Sequence, residues 1–364
     1  MHLPPLDVAI YPVTNMSRGA YAVRPARPSS TISSCSSSSS TSQRSCTTSP
    51  GFSSIQNAIR SVFRSSKISV RQVEQLSGRL YQVYLAELVE SGLLVLKCPP
   101  SHNLRLLRHE KHFLGNERKV LETLHEYTQI PVPQVIKYEE YGGAFGTPFL
   151  MMSHIPGRRL SDISQYLSST ERHTIDRSLG TYVRGLTALS AAQFGLTHRV
   201  FAKKGSNSWK EAFLALLEAA LRDAEDMLVT LAYDSIRHYI SKHANILEEV
   251  TEPRLVALDV CNPSNVLINE TTRHVTGLVG FSNIIWGDPL MTDGVSDGSA
   301  AFFEGFGNDL KLTGGTAVMT RVHMYSTYRA VVKIVTHHYR PHAGIDELAA
   351  RRQMTVALNA LADM

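Results

Sequence analysis

No apolar run in this 364-residue chain approaches the roughly 18 residues that a membrane-spanning helix needs. That argues against an integral helical membrane protein. Cysteine is scarce: Cys35, Cys46, Cys98 and Cys261 are too few and too scattered for a disulfide scaffold or a zinc cluster. A reducing compartment is the simpler setting. Glycine (23) and proline (16) fall far below collagen-like or low-complexity levels. Negative charge is missing from one long stretch, with no acid between Asp7 and Glu74. Residues 1–73 carry eight Lys and Arg against one acid, so the net charge of +5 comes from this end and the rest is slightly acidic. A nucleic-acid footprint needs a basic patch on a folded surface. The body supplies none by its charge, so no nucleic-acid partner is expected.

What is there divides unevenly along the chain. Between Ser29 and Ser40, nine of twelve positions are Ser. Such a stretch buries too little apolar area to offset its ordering entropy, so residues 1–52 read as a disordered Ser/Arg-rich tail. The same composition is that of an organellar transit peptide, but Pro4, Pro5 and Asp7 spoil an amphipathic start. A cytoplasmic protein with a tail is therefore the first reading and an organellar one the alternative.

Order is expected from about Ile55, where Ile55, Ile59, Val62 and Phe63 have helical spacing. Strands are expected at Gly78–Leu88, at Leu93–Cys98 and at Phe149–Met152, with a helix over Leu104–Tyr127 between the second and third. Beyond Gly157 the chain reads as helical. Capping boxes at Ser168/Glu171 and Ser208/Glu211 open two long helices, and a third covers about Ser235–Glu249. Asn265–Ile268 and Val275–Phe281 form a hairpin turning at Asn269–Thr272, and helix resumes from about Ala317. Ala300–Asn308 (AAFFEGFGN) reads as an aromatic, Gly-rich loop. The pattern is α+β in two lobes: a small strand-rich part over 53–153 and a larger helical part over 154–364 with an embedded hairpin.

The segment Arg254–Leu290, RLVALDVCNPSNVLINETTRHVTGLVGFSNIIWGDPL, resembles the catalytic core of the aminoglycoside phosphotransferase family, which includes choline-kinase-type enzymes and many fungal members. The resemblance spans roughly Val73–Asp293 and, more loosely, the C-terminal helices. It implies a bilobal protein-kinase-like fold. It also implies an ATP-dependent phosphotransferase using Mg²⁺ and acting on a hydroxyl of a small molecule. In such a core a strand Lys neutralises phosphate charge and is held by a helix Glu. An Asp orients the acceptor hydroxyl, and an Asn and a second Asp hold the metal.

Lys97 lies inside an apolar strand, where an ammonium needs a partner. Glu117 in the following helix matches that partner, with Glu110 and Glu122 as rivals. Ser77-Gly78 would turn over the phosphates. Met151, Met152, Ser153 and His154 lie where the hinge between lobes would read the base through backbone groups. Asp259 is the candidate base and Asn265 the candidate metal ligand. Glu218, Asp223, Glu225 and Asp226 read first as a solvated helix face, with a cationic acceptor site as the alternative. Trp209 and Trp286 read as core, and nothing marks Cys261 as a nucleophile.

The chain departs from the family pattern at three points. Ala257 stands where His is usual, two positions before Asp259. The Asp259–Asn265 interval is one residue longer than in H-R-D-x-x-x-x-N. Either the loop carries an insertion, the reading preferred here, or Val260 takes the Asp position. Most seriously, Gly280 stands where the second metal-binding Asp is expected, and a glycine offers only its carbonyl. Rescue by Asp288 is a weaker reading, because the first Asp after the hairpin looks structural in this family. A catalytically inactive, pseudokinase-type binding protein is therefore the alternative function.

Overall fold

The computed structural model describes residues 51–76, 80–90, 92–307 and 315–364. The Ser/Arg-rich tail expected over 1–52 lies almost wholly outside them. In chain order the elements are α1 (Phe52–Phe63), β1 (Val70–Leu76), β2 (Gln82–Leu88), β3 (Leu93–Cys98), α2 (Phe113–Tyr127), β4 (Val135–Glu139) and β5 (Phe149–Ser153). There follow β6 (Arg158–Arg159), α3 (Leu160–Ile163), α4 (Ser169–Thr187), β7 (Gly195–Leu196), α5 (Thr197–Phe201), α6 (Trp209–Asp226) and α7 (Tyr233–His243). The remainder is β8 (Arg254–Ala257), β9 (Val266–Ile268), β10 (Val275–Leu278), β11 (Ile284–Gly287), α8 (Asp293–Asp297), α9 (Ala300–Phe306), α10 (Thr316–Tyr339) and α11 (Glu347–Asp363).

The first lobe is an antiparallel sheet of order β1-β2-β3-β5-β4. Its strands alternate, so each face collects every second residue. Leu94, Leu96 and Cys98 of β3 join Tyr84, Ala86, Phe149 and Met151 under Ile55, Ala58 and Ile59 of α1. Val95 packs on the opposite side with Leu150, Met152 and α2. That second face also carries Lys97. The sheet is therefore capped by α1 on one side and left with α2 and the interlobe junction on the other.

Strand β1 was not among the expected strands. Its sequence VRQVEQL buries only Val70, leaving a mostly polar edge strand with little hydrophobic signal. The strand expected from Gly78 starts at Gln82. The helix expected from Leu104 starts at Phe113, after a 3₁₀ turn at Arg108–His112. The helix read over Ser235–Glu249 changes to 3₁₀ at Ala244.

The second lobe is helical around two small three-stranded sheets, β10-β9-β6 and β7-β11-β8. The Ser168/Glu171 capping box is complete. At the second site Ser208 caps Glu211 N, but the Glu211 carboxylate accepts from Ser206 Oγ at 2.7 Å instead of closing the box. The segment expected as a loop at Ala300–Asn308 is helix α9 as far as Phe306, capped by Ser299, and Asn308 lies outside the described residues. Its glycines serve packing. A Cβ on Gly180 of α4 would overlap the Phe302 carbonyl oxygen, and one on Gly305 would overlap the Arg177 carbonyl oxygen. The two backbones touch through these paired glycines.

Gly180→Ala should therefore force α4 and α9 apart and cost about 1–3 kcal/mol in chemical denaturation. Gly185→Ala on the same helix meets only the flexible end of Ile130 and should change stability far less.

Candidate functional site

Lys97 is 7 % exposed and Glu117 2 % exposed. Lys97 Nζ donates to Glu117 Oε2 at 2.5 Å. Helix α2 can supply that carboxylate because Glu117, Val120, Leu121 and Leu124 share its buried face. The rivals are committed elsewhere. Glu122 pairs with Arg118 on the surface. Glu110 accepts two hydrogen bonds from Arg340 at the end of α10, at 2.6 and 2.8 Å, with both side chains buried. Sequence reasoning missed Tyr81, whose ring centroid lies 4.5 Å from Lys97 Nζ. Gly78, expected at the phosphate turn, lies outside the described residues, between β1 and β2.

The connector into α2 is strapped to the second lobe. Besides Glu110–Arg340, the Arg108 amide donates to Asp223 Oδ2 at 3.0 Å, and its guanidinium bonds Asp223 and, at 2.8 Å, Asp226. This corrects the solvated-face reading of α6 at one position, while Glu225 and Asp226 stay exposed. Asp223 is buried beneath Arg108 rather than solvated. Glu218 and Glu225 are held by Arg237 at 3.2 and 2.8 Å. These carboxylates are paired with the protein's own guanidinium groups, which removes the basis for an amine-binding face.

The two lobes join at Ser153–Gly157. Ser153 bonds the Gln134 backbone through both its amide and its hydroxyl, at 2.9 Å each. Met152 is buried in the sheet opposite Val95. His154 follows, and burial lowers its pKa. The β9–β10 hairpin lies directly against this joint. Strand β6 pairs with β9, Leu278 N donates to Pro131 O at 2.9 Å, and a Cβ on Gly277 would meet the Ile155 side chain at 2.7 Å.

The loop between β8 and β9 is two successive turns. Asn262 N donates to Asp259 O at 3.1 Å, and Asn265 N to Asn262 O at 2.7 Å. Asn265 Nδ2 donates to Asp259 O at 2.8 Å, which ties the ends of the loop together. Asp259 is half-buried, whereas Val260 is sunk in the core at 2 % exposure. Cys261 is free, and burial pushes its thiol up to about 12, the opposite of an activated nucleophile.

Gly280 follows β10 with φ +85°, a left-handed conformation suited to glycine. A Cβ there would stand 2.8 Å from Asn265 Oδ1. Position 280 thus abuts Asn265, but with no side chain to share a ligand. Asp288 does not replace it. Its Oδ1 accepts from Leu290 N at 3.1 Å and its Oδ2 from Tyr325 Oη at 2.7 Å, while Tyr325 Oη accepts from Trp209 Nε1 at 2.7 Å. Gly287 lies flat on the Trp209 ring. The WGDP segment is thereby locked in the core.

The chain matches the phosphotransferase enzyme family, APH, over residues 72–292, and it belongs to that family. Its fold is that of the bilobal, kinase-like members. The ternary complex of a thermostable aminoglycoside phosphotransferase APH(4)-Ia mutant with AMP-PNP and hygromycin B is similar at TM-score 0.61 and 16% identity, over 85% of this chain and 100% of that one. A putative fructosamine-3-kinase from Thermobifida fusca is similar at TM-score 0.58 and 14% identity, over 86% and 100%. The GDP and kanamycin complex of APH(2")-IIIa is similar at TM-score 0.54 and 19% identity, over 85% and 97%. Among functionally curated proteins, none matches the chain in sequence.

To a divalent ion of the kind the family implies, the residues present offer a reduced ligand set, with Asn265 and no carboxylate at position 280. Mg²⁺ is usually held by one or two carboxylates with phosphates and waters. Position 280 supplies none, and Asp288 is engaged in the core.

Two outcomes follow. Glu117→Ala should strand the buried Lys97 ammonium and cost about 3–5 kcal/mol, while Lys97→Met with Glu117→Leu should recover most of that loss, as read by denaturant titration. Burial raises the Asp288 pKa, so the folded state holds this proton to higher pH than the unfolded state. Its contribution is full below the ordinary aspartate range and is lost as pH rises through the raised value. Asp288→Asn should flatten that part of the stability–pH curve.

Proposed function

We propose that this chain binds ATP between its lobes and is a phosphotransferase toward a hydroxyl of a small molecule, with a transfer step much weakened at its metal site. The observation that carries the binding half is the buried Lys97–Glu117 pair on the sheet face opposite α1. A lysine so placed is a fixed positive charge on the sheet face that meets the interlobe junction, which is what a polyphosphate requires. Met152 and His154 at the joint would present backbone groups to the base, and Gly78 would lie over the phosphates. Asp259 would orient the acceptor hydroxyl and receive its proton, a role that needs only hydrogen-bond reach. Asn265, tied to the Asp259 carbonyl, would hold the loop in shape.

A second reading is favoured by Gly280: a nucleotide-binding protein without transfer activity. The acceptor class follows from the family, because the acidic residues of α6 are occupied by Arg108 and Arg237 and mark no cationic substrate. No helix among the described residues is long and apolar enough to cross a membrane.

Calorimetric titration with ATP, with and without Mg²⁺, separates these readings. Saturable binding is expected, weakened at least about tenfold by Lys97→Met. Binding that sharpens with Mg²⁺, together with slow ATP turnover, supports the transferase. Binding indifferent to Mg²⁺ supports the inactive form. Absence of binding overturns both. Gly280→Asp should not restore activity by itself, because a side chain at φ +85° meets the Asn265 amide.

A further inference from the structure

The Lys97 ammonium is almost sealed. On one side its Nζ meets Glu117 from α2. On another lies the face of Tyr81, at the start of the segment that enters β2. Strand pairing places Val83 opposite Lys97, and alternation along the strand puts Tyr81 on the same sheet face. Tyr81 is itself only partly buried, whereas Lys97 is 7 % exposed. The ring is therefore an outer layer over the ammonium. Its phenol stays neutral: burial, and then the negative charge of Glu117, hold the pKa above the ordinary tyrosine value. The contact is thus of a cation with a ring face, a favourable arrangement when water is excluded.

A phosphate that reached Lys97 would need one of its two neighbours to move. Glu117 is fixed in α2, and the connector leading into that helix is strapped by Glu110–Arg340 and by Arg108–Asp223. Tyr81 precedes β2, outside the regular strand pairing, and is only partly buried. The ring is the member that can yield.

We propose that Tyr81 is a specificity-determining residue of this cleft, competing with nucleotide phosphates for Lys97 and so shifting preference from nucleoside polyphosphates toward the nucleoside. The proposal rests on the nucleotide-site reading above, and it adds a ligand order within it. A nucleoside needs the joint and the sheet face but not Lys97, so the ring costs it nothing. A triphosphate gains Lys97 only after displacing the ring.

The test uses the full chain as wild type, Tyr81→Phe and Tyr81→Ala, each titrated with ATP and adenosine and with GTP and guanosine. Tyr81→Ala should raise triphosphate affinity by about three- to thirtyfold, with nucleoside affinity changed less than about twofold. Tyr81→Phe keeps the ring and should match wild type. An unchanged ratio of triphosphate to nucleoside affinity in Tyr81→Ala overturns the proposal. A second measurement needs no nucleotide: the rate of Lys97 acylation by an amine-reactive acetyl ester, read by peptide mass spectrometry. It should rise in Tyr81→Ala and stay low in Tyr81→Phe, and an unchanged rate shows that the ring is not the cover. If no variant binds any of the four ligands while acylation rises in Tyr81→Ala, the nucleotide-site reading fails and the ligand order falls with it, with the ring still shown to be the cover. Unaltered melting temperatures separate these effects from misfolding.

Discussion

The buried contact between Lys97 and Glu117 constrains the first lobe more than any other. An unpaired ammonium at that depth would be costly, so β3 and α2 must keep a fixed separation and register. That requirement propagates. Glu117 lies near the start of α2, and the connector before it is anchored by Glu110 on Arg340 and Arg108 on Asp223. The carboxylate that holds Lys97 is therefore placed by residues of α6 and of the end of α10, far along the chain. A pair inside one lobe is kept in place by ion pairs between the two lobes. This gives buried charges here a positional role, whatever their net contribution to stability.

The same logic explains why the second lobe is rigid where it meets the joint. Strand β6, the Gly157 turn and the β9–β10 hairpin interlock at backbone distance. The WGDP segment ends this region with a chain of hydrogen bonds from Trp209 through Tyr325 to Asp288. Each of these groups is buried, and each satisfies another. The loop carrying Asp259 and Asn265 is held between two stiff features and is built of two consecutive turns between β8 and β9.

Much of this was legible in the sequence where the signal was local. Short apolar runs marked β3 and β5, the hairpin turn was evident at Asn269, and Ser168/Glu171 marked the start of α4. The apolar setting of Lys97 called for a carboxylate, and the family resemblance pointed at Glu117 among three candidates. What escaped depended on contacts distant in sequence. Strand β1 has a polar outer face and forms through pairing with β2. Helix α9 looked like a loop because Gly305 counts against a helix locally, whereas close approach to α4 demands it. Asp223 read as a surface acid because its cation is 115 residues away. Tyr81 carried no local signal, since its significance comes from strand pairing that brings it over Lys97.

Gly280 and Tyr81 act on the same part of the chemistry. A phosphotransferase of this fold must neutralise the phosphates with a lysine and with a carboxylate-held metal. Here the lysine is present and correctly paired but covered by a ring, and the metal site lacks a carboxylate. On the acceptor side the proposed reading keeps Asp259 as the orienting carboxylate, on an interval one residue longer than in H-R-D-x-x-x-x-N. The backbone pairing at the joint and the hydrogen-bond chain of the WGDP lock are kept alongside Gly280 and Tyr81. Under the nucleotide reading proposed above, the choice between triphosphate and nucleoside is made at the phosphate subsite, where the Tyr81 ring covers Lys97.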